Sequence, residues 1–135
     1  MGVFSNVILQ EVFQLLTGNS TLMGMVGNRI YDDVPQTDGY PYVVLGELDE
    51  TEANTDDAAQ MGLASLTIHT YSRQPGRKET NDIQKEIVNT LHRAAVSVSG
   101  FNFVSIDHEQ TQSFKDADGK TRHGITEFNF IITEV

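Results

Sequence analysis

The sequence predicts a single α+β domain, residues 1–135, in which a largely antiparallel sheet packs against two or three helices. Apolar residues recur at helical spacing near the N-terminus and again in residues 83–91, whereas the segments between and after these alternate apolar with polar residues. Because several strand-forming segments follow one another directly, antiparallel pairing is favoured. The predicted order of elements is α-α-β-β-β-α-β-β. A chain of this length buries about two-thirds of its unfolded surface around one core.

The first two helices are predicted in "FSNVILQEVFQLLTGNS" and in the short segment "STLMGMVGN". Ser5 and Ser20 are the expected caps at the two helix starts. Gly18 is expected to adopt the left-handed conformation after the first helix, and Gly27 or Asn28 to end the second. The apolar positions of the first helix are Phe4, Val7, Ile8, Val12, Leu15 and Leu16.

Three strands are then predicted in "RIYDDV", "YVVLGELDETE" and "LASLTIHTYS". Pro35 and Pro41 bracket the loop between the first two, since proline cannot donate a backbone hydrogen bond. In the third strand, alternation places Leu66, Ile68 and Thr70 on one face. The intervening "DETEANTDDAAQMG", residues 49–62, has too few apolar residues to pack and is expected to be a mobile acidic loop or a hairpin tip.

The C-terminal half predicts one strong helix and a long hairpin. Pro75 and Gly76 precede the helix, whose apolar stripe consists of Ile83, Ile87, Val88 and Leu91. The last two strands are joined at "DADGK", where Gly119 fits the position of positive φ that closes the turn.

The composition excludes several classes of protein. Nineteen acidic residues against nine Lys and Arg give a formal net charge of −10, which repels phosphate backbones and disfavours specific nucleic-acid binding. No apolar run reaches the ~18 residues of a membrane span, and the N-terminus lacks the basic region of an export signal. Because the chain has no cysteine, it has no disulfide or cysteine metal site, and synthesis in the cytoplasm is expected.

No pattern in the sequence predicts catalysis, a cofactor or a metal site. The four histidines lie on separate predicted elements without the spacing of a zinc site, and no nucleophile motif or phosphate-binding loop is present. His69 and His108 are expected to be half-exposed strand residues, and His92 to lie near the end of a helix. We therefore predict that the protein is not an enzyme.

Charged segments are the candidate contact surfaces. The acidic residues of one candidate segment are Asp49, Glu50, Glu52, Asp56 and Asp57. They form either a solvated face that aids solubility or a surface that meets a basic partner or avoids adhering to DNA. Arg73 and Arg77, at the start of the strong helix, either contact an acidic neighbour or are simply solvated.

Three parts of the chain together resemble one protein family. They are "RIYDDVPQTDGYPYVVLG", the run "YSRQPGR" into the helix, and the "DADGKTRHG" hairpin. In this order, and over nearly the whole chain, the sequence resembles the tail completion proteins of long-tailed bacteriophages, also called tail terminators or tail-to-head joining proteins.

The resemblance implies a sheet packed on helices and a ring, commonly hexameric, on the head-proximal end of the tail tube. It implies as partners other copies of the chain, the tail tube protein and the head connector or stopper protein. Assembly would take place in the host cytoplasm and the final location would be the virion tail. DNA would pass through the ring, and the acidic segment could line that channel without adhering to it.

Two alternatives remain at this point. One is a small acidic regulatory protein whose surface mimics DNA, and the other is a hydrolase with an unrecognised site. A ring in solution or on tail tubes favours the virion role, whereas tight binding to a nuclease or repressor favours mimicry.

Overall fold

The computed structural model describes residues 4–34, 39–53, 61–98 and 100–134, which form three helices and a six-stranded sheet. The elements are α1 (Ser5–Thr17), α2 (Ser20–Val26), β1 (Ile30–Tyr31), β2 (Tyr42–Ala53), β3 (Met61–Ser72), α3 (Lys78–Leu91), β4 (Ser97–Val98), β5 (Phe101–Lys115) and β6 (Arg122–Glu134). The α+β class is confirmed, but the predicted order lacked β4. Two residues are too few to show an alternating pattern.

The strand order across the sheet is β1-β2-β3-β6-β5-β4. Every neighbouring pair is antiparallel except β1 and β2, which run parallel with Ile30 opposite Val43. The sheet is therefore mixed, and the expectation of a largely antiparallel sheet holds for its long strands. The direction of β1 could not be predicted from the sequence because the strand is only two residues long.

The helices cover one face of this sheet. Ile83, Ile87 and Leu91 of α3 are fully buried, as the apolar stripe predicts, whereas Val88 lies at the margin of the core. The strand residues that face the helices include Leu66, Ile68, Phe128 and Phe130. The alternate residues of β3 and β6 are mostly half-buried and form the outer face of the sheet. Within the described part of the chain, none of the helices has the length and apolar content needed to cross a membrane.

The junction between α1 and α2 differs from the prediction. Gly18 has φ −78° and is right-handed, and Asn19, not Ser20, caps α2 by accepting a hydrogen bond of 3.0 Å from the backbone N–H of Leu22. Asn19 has the extended backbone that a cap requires, whereas Ser20 is already helical. Gly27 ends α2 with φ +58°, as predicted.

The acidic loop expected over residues 49–62 is shorter than predicted. β2 continues to Ala53 and β3 begins at Met61, and these two residues pair across the hairpin. Polar side chains do not prevent this pairing because backbone groups form the ladder. Residues 54–60, with Asp56 and Asp57, lie outside the described residues, as do Pro35 and Asp38.

The turn between β5 and β6 confirms the prediction for Gly119, which has φ +72° and donates its N–H to the carbonyl of Asp116 at 3.0 Å. Asp118 closes the turn by accepting hydrogen bonds from the backbone of Lys120 and from the backbone and hydroxyl of Thr121. The bonds from Thr121, followed by that from Lys120, lower the pKa of Asp118 to about 2.

We expect Gly119→Val to destabilise the domain by about 1 kcal/mol or more, because a β-branched residue resists positive φ. No atom lies within 4 Å of a Cβ built at this position, so the cost is backbone strain and not a clash. Gly39→Val is the matched control, since Gly39 has equally open surroundings and a φ outside the left-handed region. Thermal denaturation measures both, and equal melting temperatures for the two variants would contradict the assignment.

Candidate assembly surfaces

Charge is distributed unevenly between the two ends of the sheet. At the hairpin end, β2 and β3 meet and carry an acidic arm, which we define as residues 49–53 and 61–65. At the opposite end, which we call the loop end, lie the segment between β3 and α3 and the turn between β5 and β6. This end carries the basic cleft, lined by Arg73, Pro75, Gly76, Lys115, Gly119, Lys120 and Arg122.

The acids of the arm have different surroundings. Asp49 and Glu52 are exposed. Glu50 faces the start of α1, where its Oε2 accepts hydrogen bonds from the backbone N–H of Phe4 at 3.2 Å and the hydroxyl of Ser5 at 2.6 Å. The carboxylate thereby neutralises the partial positive charge of the helix N-terminus. Glu50 therefore holds α1 on the sheet. The prediction that Ser5 caps α1 is wrong, because the Ser5 hydroxyl donates to Glu50.

The outer face beside the arm has a cavity of about 360 Å³. Asp49 and Thr51 of β2, Leu63 and Ser65 of β3, and Asn129 and Ile131 of β6 contribute to its lining. Leu63 is 39% exposed. The arm thus presents the carboxylate of Asp49 next to a small apolar surface.

The basic cleft contains one of the two predicted arginines. Arg73 lies 4.5 Å over the ring of Tyr40, and its guanidinium is 3.8 Å from a carboxylate oxygen of Asp118. Arg77 occupies the cap position of α3 and is exposed at the same end of the molecule. The side chains of Arg73 and Asp118 are both exposed, so their ion pair contributes little to stability.

The other cations of this cleft were not predicted from the sequence. Lys115 and Arg122 pair across β5 and β6, and Arg122 also pairs with Ser72, which directly precedes Arg73. The cleft has a volume of about 380 Å³. The basic residues that flank the predicted turn were a signal for this cleft. Predicting the cleft from them would also have required knowing that β6 lies beside β3.

The outer face near the loop end carries stacked aromatic rings. Tyr42 stacks on Tyr71 with ring centroids 4.9 Å apart, and Tyr71 stacks on His123 at 4.4 Å. Phe114, 42% exposed, lies 4.9 Å from His123. Burial is the main cause that raises the pKa of Tyr42 to about 12, and the neighbouring Tyr40 adds to it.

Two histidines and two carboxylates form a hydrogen-bonded chain across this face. His69 Nε2 is 2.8 Å from Glu47 Oε2, His69 Nδ1 is 2.7 Å from His123 Nε2, and His123 Nδ1 is 3.1 Å from Asp116 Oδ1. The hydrogen bond between the two rings requires that one ring nitrogen donates a proton and the other accepts it. A Cβ built on Gly46 would lie 2.5 Å from Cδ2 of His69, so only glycine admits the ring here. His69 was predicted to be half-exposed, and it is somewhat more buried than that, with 14% of its side chain accessible.

The chain of hydrogen bonds positions side chains, and it does not form a metal site. Across residues 4–34, 39–53, 61–98 and 100–134, no group of three or more His, Asp or Glu side chains has the arrangement to hold a metal ion. What the outer face offers chemically is contact area, aromatic rings and hydrogen-bonding groups on a rigid sheet.

Comparison with known proteins gives consistent results. A family model described as tail completion protein gp17 matches residues 10–133. Tail completion protein gp17 of Bacillus phage SPP1 is 28% identical over 128 residues, which cover 95% of this chain and 93% of the relative.

Two solved structures resemble the fold. The structure of bacteriophage SPP1 gp17 superposes with a TM-score of 0.65 and 27% identity, covering 93% of this chain and 88% of the other. A chain in the virion of a native gene transfer agent particle gives a TM-score of 0.81 at 21% identity, covering 90% of this chain and 91% of that one. The latter likeness concerns the fold alone.

We expect His69→Phe to raise the pKa of Glu47, because the hydrogen bond from His69 is the main cause that lowers it. A lowered pKa in the folded state means that the bond stabilises the protein at pH values above the ordinary pKa of a glutamate. This stabilisation is lost as the pH falls through the folded value. The carboxyl carbon shift of Glu47, followed by NMR against pH, measures the change.

His108→Phe is the control, since His108 hydrogen bonds to Thr111 and not to Glu47. An unchanged Glu47 midpoint in His69→Phe would show that the hydrogen bond does not set the pKa.

Proposed function

This chain belongs to the tail completion protein gp17 family, and from that membership we propose that it forms a ring that closes the head-proximal end of a phage tail tube. The ring ends tube growth and joins the tail to the head connector. Its location is the virion tail, and its partners are other copies of the chain, the tail tube protein and the connector or stopper protein. The observation that carries the proposal is a family match that spans residues 10–133, and therefore both the sheet and the helix layer.

The distribution of charge is compatible with a ring. A ring needs two different and complementary surfaces on each subunit, one for each neighbour. The acidic arm and the basic cleft are different surfaces at opposite ends of the sheet. The helix layer and the open outer face similarly give the subunit two unlike sides, which suits a ring that meets the tube on one side and the connector on the other.

The net charge of −10 supports the passage of DNA through such a ring. An acidic surface repels phosphates, and the repulsion is strongest at low salt. Retention of duplex DNA by the purified ring at low salt would contradict this part of the proposal. The regulatory-protein alternative depends on the same net charge, and no contact in the described fold favours it.

We expect replacement of residues 54–60 by Asn-Gly to leave the domain folded but to impair assembly. Ala53 and Met61 already pair, so a two-residue turn can join them. The variant should retain the wild-type circular dichroism spectrum and melt within a few degrees of it. Particles that depend on this variant should show tails of irregular length or tails not joined to heads in electron microscopy.

The matched control is Asn81→Ala with Asn89→Ala on the exposed side of α3, which changes the surface without touching the acidic arm or the basic cleft. Normal infectious particles from the 54–60 replacement would exclude this segment from assembly. Normal tails in the complete absence of the protein would exclude the proposed function itself.

A further inference from the structure

We propose that the ring closes head to tail, with the acidic arm of each subunit bound to the basic cleft of the next copy. This contact rests on the proposed ring and specifies which surfaces of the subunit meet in it. The occupant of the cleft is therefore a second copy of this chain, which brings the carboxylates Asp49 and Glu52.

Positive charge is concentrated at the loop end in an otherwise acidic molecule. Six of the nine Lys and Arg residues lie there: Arg73, Arg77, Lys78, Lys115, Lys120 and Arg122. Two of the six have ion pairs, Arg73 with Asp118 and Lys78 with Asp82. Within the described residues, the other four form no ion pair. The cleft therefore has cations to offer to an external carboxylate.

One pair of these cations is unfavourable in an isolated subunit. Lys115 and Arg122 lie directly opposite each other on β5 and β6. Like charges in this position repel, and the repulsion destabilises the strand pair. A carboxylate from outside the subunit would relieve it and could form charge-assisted hydrogen bonds to both side chains. Their pairing thus indicates an anionic partner at the mouth of the cleft.

The acidic arm supplies the matching charge at the opposite end. No Lys or Arg occurs between residues 46 and 72, and Asp49 and Glu52 are exposed in β2. Glu50 is half-buried against α1, so it is not assigned to the contact.

The arm cannot reach the cleft of its own subunit. β3 runs from Met61 at the hairpin end to Ser72 at the loop end, a span of about 36 Å at ~3.3 Å per residue. Contact between the two surfaces is therefore intermolecular. Each copy brings one arm and one cleft, so a closed ring satisfies all of them. A reciprocal two-fold dimer, in which each arm enters the cleft of the other copy, would satisfy them as well, and the mass of the assembly distinguishes the two.

Duplex DNA is the less favoured occupant of the cleft. Its phosphates would fit the same cations, but the net charge of −10 opposes its approach. The assigned contact also gives the exposed acids of the arm a role in closing the ring instead of lining a DNA channel.

Charge reversal with rescue tests the contact. One variant reverses the cleft (Lys120→Glu with Arg122→Glu), and another reverses the arm (Asp49→Lys with Glu52→Lys). Each should raise the protein concentration needed for ring assembly at least about tenfold, because like charges then meet at every interface. Analytical ultracentrifugation at low salt, and electron microscopy of protein added to isolated tail tubes, measure assembly.

A 1:1 mixture of the two variants should restore the ring, since each reversed surface then meets its complement. The chain that carries all four substitutions should also assemble. Lys85→Glu with Arg93→Glu is the control for the cleft variant, because it changes the net charge equally at exposed positions outside the cleft. Circular dichroism establishes that every variant is folded.

The outcomes separate the contact from the ring. Rings of unchanged stability in both reversed variants, or no rescue in the mixture, would overturn the arm-to-cleft contact and leave the proposed function intact. A wild-type protein that forms no ring either in solution or on tail tubes would overturn both. Intact rings of the cleft variant that lose affinity for duplex DNA relative to wild type would assign the cleft to phosphate instead.

Discussion

The pairing of β3 with β6 is the constraint on which the rest of the structure depends. The register continues without a shift from Met61 opposite Thr133 to Ser72 opposite Arg122, whereas the flanking pairs of β2 with β3 and of β5 with β6 contain shifts. A slip of one residue would turn the core residues of β6 to the outer face. The same register places His123 beside Tyr71 and brings Arg122 beside the segment that carries Arg73.

The helix layer is fixed to this sheet by apolar burial together with a few long-range polar contacts. Gln84 of α3 is buried and donates its amide to the carbonyl of Gln112 at 3.1 Å. Asn19 joins α2 to α3 through a 2.7 Å hydrogen bond to the hydroxyl of Thr90. Together with Glu50 at the start of α1, these contacts define where each helix lies along the sheet. Apolar packing alone is less directional, because it depends mainly on the area that is buried.

Features with a local cause could be predicted from the sequence. Burial of one helix face leaves a periodic pattern, so α3 and its stripe were correct, and the conformation of Gly119 follows from a single turn. The role of the acidic residues and of Arg73 and Arg77 as contacts stays a prediction.

Features that depend on register could not be predicted in this way. His69 and His123 are far apart in the sequence and meet only because β3 and β6 pair, and the same pairing gathers the basic cleft. The strand predicted over residues 42–52 matches β2 to within one residue, whereas the start of β3 at Met61 was missed because a strand at a sheet's hairpin end is held by backbone hydrogen bonds and needs no apolar side chains. The link between Glu50 and α1 likewise depends on the packing of the helix on the finished sheet.

The aromatic rings of the loop end have an optical consequence. The chain has no tryptophan and four tyrosines, and the rings of Tyr31, Tyr40, Tyr42 and Tyr71 form one connected group with neighbouring centroids 4.9 to 6.2 Å apart. Arg73 of the basic cleft lies directly over the ring of Tyr40. The near-ultraviolet absorption and emission of tyrosine in this protein therefore originate at a single end of the molecule, beside the cleft, and the hairpin end contributes nothing to them.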